Sequence, residues 1–312
     1  MRTKDLIKDR SEKSATLDAI KRIYGAFEGV CGISLGTKFS KGKRVSSIEA
    51  LQFFVTRKRP IKDLKRPLPK YVLARDDQGY ADRKRRIKTD VIELRELELC
   101  CRAGDASMSE AGVAGSIALL FRDRTDAVIK LLSCSHVISD LVTANQSFDL
   151  SGGGAGCFFQ ARSLFHTVIE NRTLGFDIAL AEVHTIDQFE DAVVSGTGEQ
   201  LTSFGNPADL DRGTELHCVS RMSGARTIRV ESAEASFHDI LIFSGDSIEI
   251  DNLFACKGIA VSGDSGGIVY KGSRAVGIIV ARAADDWVLI HSLEAAVEAL
   301  SSTHGINIQC FD

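Results

Sequence analysis

The sequence lacks any uninterrupted apolar run of about 18 residues, which excludes a membrane-spanning helix. The stretch Met1–Lys13 is charged throughout and contains no apolar segment of the kind that a secretory signal needs, so we expect a cytoplasmic protein. A phosphate-binding loop is also missing, because the glycine run at 151–156 lacks the GK[ST] ending and is typical of a flexible turn.

Metal-binding patterns are absent as well. No CxxC pair occurs, and the 7 histidines do not fall at zinc-ligand spacing, so we expect no metal. The 8 cysteines are scattered through a chain without an export signal, and we predict buried free thiols rather than disulfides. Cys100 and Cys101 are adjacent, and a redox-sensing role is the alternative for that pair.

The charge is distributed unevenly along the chain. Residues 1–110 contain 26 Lys and Arg against 16 Asp and Glu, a net charge of +10, whereas residues 111–312 contain 13 against 26, a net charge of −13. A shift of this size predicts a domain boundary, with a basic N-terminal domain at 1–110 and a second domain at 111–312.

The basic cluster between Arg83 and Lys88 raises the possibility of nucleic-acid binding. The first domain contains no zinc-finger pattern, no aromatic RNA-binding signature and no long basic helix. We therefore favour a solvated loop or sheet rim that faces the acidic second domain, and nucleic-acid binding is the alternative.

Hydrophobic spacing predicts a different secondary-structure content for each domain. In the first, residues 14–28 have helical spacing, and β-type segments follow up to a strand at 87–94, so a small α+β unit is expected. In the second, short β-type runs recur between turn signals, which predicts an all-β barrel or sandwich, closed by a helix near 292–305.

The most specific motif is Gly263-Asp264-Ser265-Gly266-Gly267, which lies between two β-type segments. Glycines in a tight turn are the alternative interpretation of this motif. Acyl transfer, however, needs an exposed hydroxyl together with backbone N–H groups aimed at the developing oxyanion, and glycines beside Ser265 allow that close approach. His136 follows one predicted strand and Asp177 precedes another, so the ordered set His136, Asp177, Ser265 predicts a nucleophile, its base and an orienting carboxylate.

This ordered set resembles the chymotrypsin-like serine peptidases. It is most similar to the intracellular trypsin-like peptidases of bacteria and to the related plant narrow-leaf protein, over roughly residues 29–300. The resemblance implies a mainly β protein, a chymotrypsin-like double β-barrel preceded by a small α+β domain, with no cofactor. The motifs that carry it are GVAGSIALLFRD, DIAL, RMSGARTIRVESA, GDSGG and AVGIIV.

The resemblance also implies roles for individual residues. Ser265 would attack the scissile carbonyl, His136 would transfer the proton, Asp177 would orient His136, and the N–H groups of Gly263 and Ser265 would form the oxyanion hole. The family's activating N-terminal motif is missing, so Asp264 needs another partner. We expect the N-terminal domain, or a protein bound to it, to order this loop.

Substrate preference is less constrained. The resemblance places Ile259 near the base of the primary specificity pocket and Val280, Ala281 and Arg282 along its wall. No carboxylate stands at Ile259, so a preference for Lys or Arg is disfavoured and small or apolar residues are favoured. Arg282 is expected to narrow the pocket, to recognise an acidic side chain or to point to solvent.

The sequence therefore predicts a cytoplasmic serine endopeptidase that acts on a selected protein partner, regulated by its N-terminal domain or by an effector. The resemblance also associates it with bacterial stress or antiviral defence modules. The alternative is a catalytically silent scaffold of the same fold that binds a partner protein.

Overall fold

The structure is a computed structural model that describes most of the chain. It describes residues 10–312 apart from 41–42, 77, 95–96, 100–101, 104–112, 139–146, 152–157, 167–172, 175, 187–191, 195–196, 242–246, 284–285, 305–307, 310 and 312. The predicted domain boundary near 110, positions 152–156 of the glycine run and the pair Cys100 and Cys101 therefore lie outside the described residues.

The basic N-terminal part folds as a helix on a layer of four strands. The elements are α1 Arg10–Tyr24, β1 Val30–Ser40, β2 Lys43–Val55, a 3₁₀ turn Ile61–Asp63, β3 Tyr71–Arg75 and β4 Ala81–Glu93. The strand order is β1-β2-β4-β3. The helix buries Thr16 and Ile20 against the strands, because these positions share one helical face. It is already present at Arg10, the first described residue, and ends at Tyr24, ahead of Gly25.

The basic cluster lies within β4, which pairs with β3 between Ala81 and Lys88 and with β2 only from Lys88 to Glu93. Most of its basic side chains are exposed, so a solvated sheet rim fits and a loop does not. Arg85 forms ion pairs with Glu12 at 2.6 Å and Asp82 at 2.7 Å, both of them in the N-terminal part. The cluster is therefore tied at Arg85 to acidic groups of its own unit.

The remaining elements are mostly short strands, as the turn spacing predicted. They are, in chain order, β5 Leu97–Leu99, β6 Arg102–Ala103, β7 Val113–Ala114, β8 Leu119–Arg122, β9 Ile129–Ser133, α2 Ser135–Ile138, β10 Ser147–Ser151, β11 Phe158–His166, β12 Thr173–Leu174, β13 Ala179–Ile186, β14 Ser203–Phe204, a 3₁₀ turn Pro207–Asp209, β15 Glu215–Ser220, β16 Gly224–Leu241, β17 Ser247–Lys257, β18 Ile268–Lys271, β19 Arg274–Ala283, β20 Trp287–Ser292 and α3 Leu293–His304.

Two sheets carry most of these strands. One has the order β10-β11-β13-β9-β8, and the other runs β12-β17-β20-β19-β18-β15-β16 and continues through β1 into the N-terminal layer. Their inward faces share one apolar cluster, which includes Leu131, Leu180, Ile278 and Val280. The predicted mainly β fold is confirmed, and α3 follows the last strand where the sequence placed a helix.

The N-terminal unit and the second part of the chain are joined through an antiparallel pairing of β1 with β16, in which Gly32 lies opposite Phe237. Gly32 is required there, since a Cβ at this position would clash with the Phe237 ring. The N-terminal layer is therefore an extension of the large sheet.

Burial and hydropathy agree with two further predictions. Cys31, Cys134, Cys218 and Cys256 are buried free thiols. Burial raises the pKa of Cys218 to about 11, so this thiol is protonated at neutral pH. Among the described residues, no helix is long and apolar enough to cross a membrane.

Candidate active site

The site is built first around a buried histidine–aspartate pair. His136 lies in α2 directly after β9, and Asp177 lies two residues before β13, the neighbour of β9 in the sheet. One carboxylate oxygen of Asp177 hydrogen-bonds to His136 Nδ1, and the other accepts the His136 backbone N–H at 2.9 Å. Two bonds to one carboxylate fix the orientation of the imidazole ring.

The electrostatics favour an ionised Asp177. Burial alone raises the pKa of this carboxyl, but the charge and hydrogen bonds of His136 outweigh that cost, and the pKa lies below its usual value. On the far side of the ring, His136 Nε2 is buried and has no hydrogen-bond partner. A buried imidazole nitrogen without a partner is able to accept a proton from an incoming hydroxyl.

Ser265 lies in a tight turn between β17 and β18. Gly263 and Gly266 adopt positive φ values of 94° and 84°, and a Cβ at Gly266 would overlap the carbonyl oxygen of Ser116. The Ser265 hydroxyl donates to the Val280 carbonyl at 2.7 Å. In this structure, then, the hydroxyl is not bonded to His136.

The serine turn and the histidine are anchored to the same backbone carbonyl, although they come from different sheets. Ile279 O accepts from Gly266 N–H at 2.8 Å and from the Cys134 thiol at 3.2 Å. Cys134 is two residues before His136, so one carbonyl of β19 positions both segments. The segments that carry His136 and Ser265 therefore share one anchoring carbonyl, and the triad itself stays a prediction.

Ser116 connects the two sheets at the same point. Its N–H donates to Ser265 O at 2.6 Å, its hydroxyl donates to Gly263 O at 3.0 Å, and its carbonyl accepts from Ser133 Oγ at 2.7 Å. The N–H groups of Gly263 and Ser265 make no hydrogen bond to another described backbone group. The oxyanion hole itself stays a prediction.

The partners of Asp264 come mainly from the end of β15, the start of β16 and the turn between them. Its carboxylate accepts from Arg226 Nη2 at 3.0 Å, from the hydroxyls of Ser220 and Ser223 at 2.7 and 2.6 Å, and from Val261 N–H at 2.8 Å. The prediction that the N-terminal domain or a bound protein supplies this contact was wrong. The chain orders its own serine turn, and Arg226 is a residue that the sequence did not reveal.

His291 is a second residue to which the sequence assigned no role. It lies on β20, where its Nε2 accepts the backbone N–H of Asp177 at 2.7 Å and its ring stacks on Phe176. Complete burial lowers its pKa to about 4, so the ring is neutral and Nε2 remains an acceptor at neutral pH. His291 therefore holds the backbone of the orienting aspartate.

The predicted specificity residues are not all in one place. Val280 and Ala281 are fully buried on β19 beside Ser265, and Arg282 is half-buried. Ile259 is 64% exposed and its carbonyl accepts from Arg226 Nε at 2.9 Å, so it does not form the base of an enclosed pocket. The half-buried Arg282 does not simply point to solvent.

One group of side chains has metal-ligating chemistry within the described part of the chain. The ligand atoms of Cys134, His136 and Asp177 lie within 4.8 Å of one another. The Asp177 carboxylate is already bonded to His136, and the Cys134 thiol donates to Ile279 O. His136 and Asp177 therefore form an acid–base pair, and the Cys134 thiol beside them is buried and hydrogen-bonded. The absence of a metal stays a prediction.

No protein-family model and no curated protein matches the sequence. Among solved structures, the chain is similar to the Nocardiopsis protease (11% identity, covering 60% of this chain and 88% of that one, TM-score 0.41). It is also similar to a glutamic acid specific serine protease (15%, 66% and 99%, TM-score 0.42) and to Thermobifida fusca protease A (13%, 62% and 90%, TM-score 0.41). The names of these similar structures agree with the predicted resemblance, and the activity has to be argued from the site.

Proposed function

We propose that the protein is a serine endopeptidase that hydrolyses peptide bonds through an acyl-enzyme. The observation that carries the proposal is the buried His136–Asp177 pair, whose Nε2 has no partner and whose segment shares an anchoring carbonyl with the Ser265 turn. An oriented base whose segment is anchored together with a serine in a glycine turn is the arrangement that can activate a serine.

The reaction follows from this geometry. The Ser265 hydroxyl turns from the Val280 carbonyl towards His136 Nε2, gives up its proton there and attacks the scissile carbonyl. His136 then protonates the leaving amine, while Asp177 holds the ring and stabilises the imidazolium. The N–H groups of Gly263 and Ser265 bind the developing oxyanion, and loss of one such donor typically costs about 10²–10³ in rate.

The Asp264 contacts support an enzyme that needs no newly cut N-terminus to order this turn. Arg226 supplies the compensating charge from within the large sheet, and its side chain is only 15% exposed.

We place the enzyme in the cytoplasm, which is supported by the buried free thiols. Its membership in a bacterial stress or antiviral defence module is a proposal from the resemblance alone.

The N-terminal domain is proposed to regulate the enzyme or to bind its protein partner. Support comes from the pairing of β1 with β16, because β16 also carries Arg226, the ion-pair partner of Asp264. Movement of the N-terminal layer would therefore be transmitted along one strand to the serine turn.

A fluorophosphonate probe tests the activity. We expect covalent labelling of the wild-type chain and loss of labelling in Ser265→Ala, because the probe reacts with activated serines. The matched control is Ser273→Ala, which removes an exposed serine from the turn between β18 and β19 and should label normally.

The second candidate function is a catalytically silent scaffold. The observation in its favour is the bond from the Ser265 hydroxyl to Val280 rather than to His136. No labelling of the wild-type chain would favour the scaffold.

A further inference from the structure

The two strands at the edge of the N-terminal layer, β3 and β4, present one face away from α1. On the side of the helix, Val72 lies opposite Ile87, and both side chains are buried in one cluster with Ile20 of α1. Side chains alternate between the two faces of a strand, so the residues on either side of Val72 and Ile87 point away from the helix. We call this side the outer face, and it carries Tyr71, Leu73, Lys84, Arg86 and Lys88.

Three cations occupy every second position of β4 on the outer face. Lys84, Arg86 and Lys88 are all exposed. Within the part of the chain that the structure describes, none of the three takes part in an ion pair, and the neighbouring Asp82 is already bonded to Arg85 at 2.7 Å. The row therefore presents positive charge that no bonded carboxylate neutralises.

The positive surface continues into the connection between β2 and β3. This connection runs along the second half of β4, because Lys58 N–H donates to the Glu93 carboxylate at 3.2 Å and Lys70 O accepts from Thr89 N–H at 3.2 Å. Residues 57–70 contain 7 Lys and Arg against 1 Asp, and all 7 basic side chains are exposed. A surface of this charge attracts polyanions, and salt weakens such binding.

The outer face also carries an exposed aromatic ring. Tyr71 is 52% exposed and lies directly opposite Lys88 in the β3–β4 ladder. Tyr80, which is 73% exposed, stands just before β4. Among the aromatic side chains that the structure describes, these two are the only exposed ones. Both exposed rings therefore belong to the same basic hairpin.

An aromatic ring among cations matches the chemistry of a single nucleic-acid strand. Lysine and arginine pair with its phosphates, and an unpaired base stacks on an exposed ring. An acidic protein or a base-paired duplex would use the cations but would leave the ring without a base. The sequence showed no aromatic signature, but the pairing of β3 with β4 places Tyr71 beside Lys88. The outer face thus favours a single strand over other polyanions.

We propose that the outer face binds single-stranded nucleic acid. A base stacks on Tyr71, the cations of β4 contact the phosphates, and the basic connection at 57–70 extends the positive track. This function is independent of the proposed peptidase, because none of these residues lies in the candidate active site. Ser265→Ala should therefore bind the strand as the wild type does.

Fluorescence anisotropy of a labelled oligothymidine of about 16 nucleotides measures binding to the full-length chain over a series of salt concentrations. We expect log K to fall linearly with log salt, with a slope of about −0.7 for each phosphate contacted. The triple variant Lys84→Gln, Arg86→Gln, Lys88→Gln loses three such contacts, so its slope should be less steep by about 2.

A second triple variant is the matched control for charge. Arg229→Gln, Lys271→Gln, Arg274→Gln removes three exposed cations from the second part of the chain. It has the same net charge as the β4 variant, but it leaves the outer face intact. Its slope should equal that of the wild type.

Substitution of Tyr71 tests the stacking. Tyr71→Ala should weaken binding by about 5- to 150-fold at one salt concentration, which is the range for loss of one base–aromatic contact. Tyr71→Phe keeps the ring and removes only the hydroxyl, so it should bind as the wild type does. Thermal unfolding shows whether each variant is folded, and the exposed position of Tyr71 predicts that both are.

Each contrary result overturns a defined statement. Absence of single-strand binding at low salt would overturn the proposal, and so would equally tight binding of a duplex or of polyglutamate, because the surface would then recognise charge alone. Wild-type affinity of Tyr71→Ala would refute the stacking, and an equal change of slope in both triple variants would refute the assigned face. Fluorophosphonate labelling is measured separately, so the peptidase stands or falls without these results.

Discussion

At the scale of single residues, the site depends on charges that are buried and paired. Asp264 is fully buried and its counter-charge, Arg226, is mostly buried, so the pair is shielded from water. Removal of one partner from such a pair leaves the other charge uncompensated, which is far more costly than the loss of an exposed ion pair.

This difference gives the first stability prediction. Arg226→Met should lower the free energy of unfolding by about 3–5 kcal/mol, because Asp264 keeps its buried charge without a cation. Arg229→Met is the matched control on the same strand. Arg229 is half-exposed and pairs with Glu215 at the surface, so its loss should cost about 0–1 kcal/mol. Urea denaturation of both variants measures the contrast, and equal losses would contradict it.

At the scale of elements, the pairing of β1 with β16 determines how the N-terminal layer meets the rest of the chain. The close approach of the two strands depends on the absence of a side chain at Gly32, next to the buried ring of Phe237. Buried rings cannot move aside without loss of packing, so the contact is sensitive to one added carbon.

We therefore expect Gly32→Ala to destabilise the protein by about 1–3 kcal/mol through overpacking. A second substitution, Phe237→Leu, removes part of the ring that the new Cβ would strike. The double variant should lose less stability than the two single variants lose in sum. Thermal unfolding of the wild type, both single variants and the double variant measures this double-mutant cycle. Purely additive losses would argue against a contact between these positions.

At the scale of the whole molecule, the buried acid–base groups make stability depend on pH. His291 has a folded-state pKa of about 4 against an ordinary value of 6.5, so the unfolded chain binds its proton more readily. Stability from this group is complete above pH 6.5 and is lost as the pH falls towards 4. The lowered pKa of Asp177 acts in the same direction at lower pH.

Between pH 7 and pH 4 the contribution of His291 amounts to about 3 kcal/mol. His291→Gln removes the titrating group, so its stability should decline less over this interval than that of the wild type. Denaturant unfolding at a series of pH values measures the two slopes. If the free energy of unfolding falls equally with pH in both proteins, His291 is not the cause of the pH dependence.

Sequence and structure contributed different parts of the fold. The mainly β class and the helices were predictable, because apolar spacing and turn residues are local signals. The sheet that joins β1 to β16 was not, since strand pairing between distant segments leaves no local pattern. The partners of the basic cluster were not predictable for the same reason, as charge alone does not show that Arg85 pairs with Glu12.

The sequence by itself determined the chemistry that is available: one serine between glycines, one histidine after a strand and one aspartate before another. The reactivity of these side chains and the turn preference of the glycines are local properties that do not depend on the rest of the fold. Only the tertiary structure decided what surrounds them. Arg226 lies 38 residues from Asp264 and His291 lies 114 residues from Asp177, and only packing of the sheets brings such partners within hydrogen-bond distance.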